Sequence, residues 1–321
     1  MDVKALLNIY KQNYPSRLDN RNLELIEQYF ETTYTSGKVS DISKIINSPY
    51  NVEKNIIEYI IGPERSSIDV SYLSLYTQKN NASSVKCESY PTIIVDELLQ
   101  YTLISFYFSI FSLVYNNSPS NFEKCFKNCV VLLDLQGNKH KIGTHNIDDL
   151  LDISHLPEKI INLIMDAYWM SWTFIFSHEL YHLITKTDST SIQEELDADK
   201  YAYIKLISMI EYQAKEQLPT EIQVFYDYLY LSPMMLMEYF KLLDFYNSLF
   251  DKKTIYTDHP SPNDRQNHLF SLFDDIIPDN FDTEIGNDLF NSFLDQIDII
   301  REQLQIKKKK GKLDVIREIK L

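Results

Sequence analysis

Glycine is scarce in this chain, at six in 321 residues. With so few positions suited to tight turns, the expected architecture is mostly helices with some short strands. Cysteine is scarce as well. Cys87, Cys125 and Cys129 make no disulfide framework, and no second cysteine pair or nearby histidine completes a tetrahedral metal set around Cys125 and Cys129. Reduced thiols are expected. Positive charge is in deficit: 31 Lys and Arg against 46 Asp and Glu leave a formal charge of −15. That balance excludes a nucleic-acid surface, because phosphate contacts require clustered Lys and Arg. The one basic run, Lys307 to Lys310 with Lys312, reads as a solvated helix end rather than a membrane or RNA patch. Long apolar runs are missing too. The longest, Tyr101 to Tyr115, carries three serines and spans about fifteen residues, short of the roughly twenty that a bilayer requires. It reads as a buried core helix. The opening MDVKALLNIYKQNY is interrupted by Asn8, Lys11 and Gln12 and does not resemble a signal peptide. A cytoplasmic protein with no membrane span is the expectation.

What is abundant is aromatic: 23 Tyr and 17 Phe in a chain that is 44% hydrophobic and 24% charged. This is the composition of a soluble globular protein, long enough for one large or two small domains. The pattern is helical in residues 1–62, ending at Gly62-Pro63. Ile68, Val70 and Tyr72 then alternate with polar residues as a strand does, and Thr92 to Val95 form a second β-rich run. Asp96 is placed to cap a long helix ending near Asn116, before the break at Asn117-Ser118-Pro119. Val130 to Leu135, Gly137-Asn138 and His140 to Thr144 read as a hairpin. Pro157 to about Thr187 is helical and apolar nearly all round, so it should be central and buried. Further helices are expected at about 191–217, 220–231 and 234–250, with a short one after Pro262 and an amphipathic one at about 283–308. The class is α+β, mostly α-helical, and the organisation is an N-terminal helical region (1–62), a core (63–275) and a C-terminal helical extension (276–321).

Three clusters carry chemistry. The first is His178-Glu179-Leu180-Tyr181-His182, an HExxH on the apolar helix. Residues i and i+4 share a helix face about 6 Å apart along the axis. Two imidazoles so placed can converge on one Zn²⁺, with Glu179 beside them facing a bound water. Burying two histidines and a glutamate in an apolar helix without partners would cost several kcal/mol. The second cluster, Ser191 to Asp199, offers the third ligand. With Ser191 as N-cap, Glu194 sits at N3 and turns back to the backbone, leaving Glu195 to face the metal. Were the helix to begin one residue later, the two glutamates would exchange roles. Asp199, one turn on from Glu195, is placed to accept the outer N–H of a zinc-bound imidazole. The third cluster is His259-Pro260-Ser261-Pro262-Asn263-Asp264-Arg265, a helix start with Ser261 as cap and Pro262 at N1. His259 in the loop before it could stabilise an oxyanion.

HELYH, then ELDAD, then HPSPNDR together resemble the M48-type gluzincin metallopeptidases and the minigluzincins, over roughly residues 65 to 275. Asn81-Ala82 and IIVDELL at 93–99 are similar to that family's Asn-Ala strand and the segment that follows it. The resemblance implies a gluzincin-like core with a small β-sheet and a central HExxH helix. It implies His178, His182 and Glu195 as ligands of one Zn²⁺ per chain, Glu179 as the catalytic base and Asp199 just outside the ligands. His259 and Arg265 would assist at the substrate oxyanion or brace the site. About sixty extra residues separate the strand segment from HExxH, compared with the family pattern.

The expected activity is that of a zinc-dependent endopeptidase acting on an intracellular protein or peptide, in stress or defence, under a regulatory partner the sequence does not name. An exposed strand edge, from 84–88 or from the 130–144 hairpin, would align the substrate. Two other readings stand beside it: a zinc-stabilised interaction module without turnover, and a metal-free helical scaffold.

Overall fold

The long apolar segments of this chain form helices, and the computed structural model shows which faces they bury. It describes residues 71–75, 82–85, 92–137, 156–185, 191–217, 228–252, 256–257, 259–279, 281 and 283–313. The helical expectations for 1–62 lie outside these residues, as do Ile68, Val70 and Cys87. Most described residues are helical.

The chain divides into two compact units, residues 1–100 with 178–187, and residues 101–177 with 188–321. In the first, β1 (Ser71–Leu75), β2 (Ala82–Val85) and β3 (Thr92–Asp96) make a mixed sheet in the order β1-β3-β2. β1 runs parallel to β3, with Ser71 opposite Thr92, and β2 antiparallel, with Ala82 opposite Val95. Ile93 and Val95, two apart on the central strand, share one face, and both are buried.

In the second unit the helices pack through aromatic side chains. α1 (Glu97–Tyr115) starts directly after Asp96 and buries Phe106, Tyr107 and Phe111. All three rings surround Phe293 of α8 (Thr283–Lys309), with centroids 6.0, 6.3 and 5.5 Å away. The Tyr107 hydroxyl lies 2.6 Å from Ser171 Oγ on α3 (Glu158–Thr185). Both hydroxyls reach the Ser232 carbonyl, at 3.4 and 3.2 Å, where α5 (Ser232–Ser248) begins. The Tyr239 hydroxyl donates to Thr102 Oγ1 at 2.8 Å, tying α5 back to α1. α3 meets α4 (Ile192–Gln217) where Thr173 Oγ1 lies 3.9 Å from Met209 Sδ. Every residue of α3 from 170 to 180 is buried, as its all-round apolar character requires. The C-terminal helix α8 packs on α5 within this same unit. Gly311, in the left-handed conformation at φ 64°, sits where α8 ends.

Two expectations need correction. Val130 to Leu135 is not a strand of a hairpin: α2 (Pro119–Gly137) runs straight through it. Val130, Val131, Leu132 and Leu133 are all buried, and Cys125 and Cys129 precede them on the same helix. Four consecutive apolar residues fit a buried helix as well as a strand, and here the helical segment leading into them decides. The remainder of that hairpin, 138–144, lies outside the described residues. The helix expected at 220–231 is, over its described part, a 3-10 turn at Leu229–Leu231 that leads directly into α5. Burial pushes the thiols of Cys125 and Cys129 up, which makes them poor nucleophiles and poor metal ligands at neutral pH.

One buried charge is unfavourable. Desolvation on α3 pushes the Asp166 carboxyl up from its ordinary 3.8 to about 6. Well below pH 3.8 this half-buried carboxyl is protonated whether the chain is folded or not; above pH 6 folding must desolvate a carboxylate, so its contribution to stability falls as pH rises through that window. Asp166→Asn is therefore expected to raise the unfolding free energy by about 1–3 kcal/mol at pH 8 and to change it little at pH 4, read from urea denaturation at the two pH values.

Candidate metal centre

The HExxH segment occupies the last turns of α3, and its spacing does what helical geometry demands. His178 and His182 are both buried, with their Nε2 atoms 3.2 Å apart and their ring planes at 76°. At that distance both nitrogens cannot carry a proton, so at least one presents a lone pair. The separation is also close to the edge of a tetrahedron with bonds of about 2.0–2.1 Å, about 3.3–3.4 Å. Glu179, next in sequence to His178, is buried as well.

α4 supplies the carboxylate. Ser191 caps it: the Glu194 N–H donates to Ser191 Oγ at 3.1 Å, which makes Ile192 the first helical residue and Glu194 N3. The helix then sorts its acids by face. Glu195, Ala198 and Asp199 are buried, while Asp197 is exposed and accepts from Gln193 Nε2 at 3.0 Å. The candidate donor atoms of His178, His182 and Glu195 all lie within 4.8 Å of one another. Two imidazoles and a carboxylate suit zinc, which takes nitrogen and oxygen ligands in a tetrahedral arrangement.

α6 (Pro262–Ser271) and the residues just before it are bound to α4 at three points. Its own start is a capping box: the Asp264 N–H donates to Ser261 Oγ at 3.2 Å, and the Ser261 N–H to Asp264 Oδ2 at 3.3 Å. From its first turn Arg265 donates to Asp199 through Nε at 2.8 Å and Nη2 at 2.5 Å, a two-pronged pair on a carboxylate that is 0% exposed. One turn later His268 Nε2 lies 3.1 Å from the Leu196 carbonyl. Before α6, His259 places Nδ1 3.0 Å from Glu195 Oε1 while its side chain stays 60% exposed. Arg265 thus faces Asp199, and His259 faces the Glu195 carboxylate.

The chain matches no protein-family model, no curated protein and no solved structure. The resemblance to gluzincins is carried by the three motifs.

A second polar cluster is absent from the sequence reading. Glu238, buried on α5, accepts from Lys241 Nζ at 2.9 Å, from Gln266 Nε2 at 3.0 Å and from Arg301 Nη2 of α8 at 3.0 Å. Gln266 adjoins Arg265, so α6 is held from this side too. The available signal was a lone charge in the apolar run Pro233-Met234-Met235-Leu236-Met237-Glu238-Tyr239-Phe240, since a charge so placed needs a buried partner.

Asp199 depends on Arg265 because a buried carboxylate left without its cation is costly. Arg265→Ala is expected to lower the unfolding free energy by about 3–5 kcal/mol, measured by urea denaturation. Arg265→Lys should recover only part of it, since an ammonium cannot reproduce the fork.

Proposed function

We propose that this chain is a zinc-dependent endopeptidase with a gluzincin-like centre, cleaving a protein substrate in the cytoplasm. The observation that carries the reading is the meeting of His178, His182 and Glu195, from two separate helices, within 4.8 Å. These three residues would hold the ion. Zinc bound there would supply a Lewis acid that lowers the pKa of water toward about 7 and polarises a carbonyl.

The remaining chemistry belongs to the chain's own side chains. Glu179 accepts the proton of the attacking water and returns it to the leaving amine. His259 faces Glu195 through Nδ1; protonated at both ring nitrogens, it would donate to the developing oxyanion from Nε2, on the opposite edge of the ring. Arg265 fixes Asp199, and with it the turn of α4 that carries Glu195. β2, at an edge of the sheet, offers backbone groups to an extended peptide.

The purified protein should carry about one zinc per chain by elemental analysis, and His178→Ala or His182→Ala should lose most of it. Glu195→Ala should lose zinc and cleavage together. Glu194→Ala should keep the metal at a cost of about 0.5–2 kcal/mol in stability. Glu179→Gln should keep both zinc and fold yet produce none of the new protein N-termini that the intact chain produces in cells. A protein that binds no zinc on titration would end this reading. Zinc without any Glu179-dependent cleavage would make the centre structural.

His259→Ala should retain zinc and slow turnover by about 10²–10³. If instead zinc affinity falls by about 10–100-fold with turnover per bound zinc unchanged, its role is to orient Glu195.

A further inference from the structure

We propose that the lysines gathered around the C-terminus of α8 form a docking surface for anionic phospholipid. In the sequence, Lys307 to Lys310 and Lys312 are one short run at a helix end. The fold adds to it. Lys307 Nζ lies 6.0 Å from the ring centre of Phe126 on α2, and Lys308 Nζ lies 3.9 Å above the ring of Phe250, just past α5. Lys124 and Lys127 flank Phe126 in the sequence of α2, and Lys252 follows Phe250 by two residues. Eight lysines thus stand on the three segments that meet at these two contacts, with Glu123 and Asp251 next to them in sequence on α2 and after α5. Lys124, Lys252, Lys309, Lys310 and Lys312 are exposed, whereas Lys307 and Lys308 lay their stems on aromatic rings and hold their amines outward.

Charge and residue type select the partner. The region carries a formal +6 in a chain of −15, which leaves −21 on the remainder. An anionic surface therefore attracts this region and repels the rest, fixing the orientation of approach. All eight cations are lysine. Recognition of phosphorylated or acidic peptides relies on the arginine fork, and single-stranded nucleic acid on open aromatic faces. Here no arginine contributes, and the rings of Phe126 and Phe250 lie beneath lysine amines. Compact point charges in a group of four to eight are what an anionic leaflet binds, each strengthening association by about fivefold.

The test is sedimentation of the full chain with phosphatidylcholine vesicles, with and without one phosphatidylserine in three lipids. The chain should bind only the serine-containing vesicles and should come off as ionic strength rises to about 0.15 M. Lys309→Glu/Lys310→Glu/Lys312→Glu should lower the partition coefficient by about a hundredfold or more while leaving the melting temperature unchanged. Lys159→Glu/Lys200→Glu/Lys205→Glu changes the net charge equally, away from this cluster, and should bind nearly as the parent does. Equal binding to both vesicle types, no binding even at low salt, or equal losses in the two triple variants would overturn the proposal. So would retention of a single-stranded RNA oligonucleotide in preference to the anionic vesicles.

Discussion

Asp199 is sealed from solvent, and a carboxylate in that position is tolerable only with a cation against it. Arg265 is that cation. Because Arg265 stands in the first turn of α6, satisfying Asp199 also decides where α6 begins relative to α4. It brings the loop ahead of it, with His259, onto Glu195. One ion pair therefore organises the acidic side of the candidate centre. The two-pronged geometry matters as much as the charge, since it sets the angle of approach as well as the distance. Gln266, the very next residue, is bound to Glu238, so α6 is held between α4 and α5 by adjacent side chains facing different helices.

Glycine scarcity and aromatic abundance are two sides of one construction. Helices with few small residues at their contacts stand further apart, and the space between them is filled here by rings. Phe293 touches three rings of α1, and Tyr239 of α5 packs its ring on Phe106. Tyrosine also brings a hydroxyl, which needs an acceptor once it is buried. Tyr107 and Tyr239 find theirs on other helices, so the same residues that fill the core also set its register.

Legibility from sequence followed the range of the interactions. The caps were legible, because Ser191 and Ser261 act on residues three positions away. HExxH was legible for the same reason: its two histidines meet through one helical turn, and the choice of Glu195 over Glu194 needs only the position of the cap. Val130 to Leu135 was misread because a run of four apolar residues has no period of its own, and the helix arriving from Pro119 settles its state. Arg265 is 66 residues from Asp199, and two of the three partners of Glu238, Gln266 and Arg301, are 28 and 63 residues away. No local pattern could pair them, although the burial of each charge in an apolar setting announced that a partner must exist.

The meeting of Tyr107, Ser171 and the Ser232 carbonyl has a dynamic consequence. Three helices converge on one point from which water is excluded, and none can separate there without stranding a hydroxyl or a carbonyl in an apolar interior. Local opening stops at such a point. Slow amide exchange is expected for residues 105–111, 168–174 and 234–239, as one unit opening together. His259, 60% exposed at the rim of the candidate centre, takes no part in this junction.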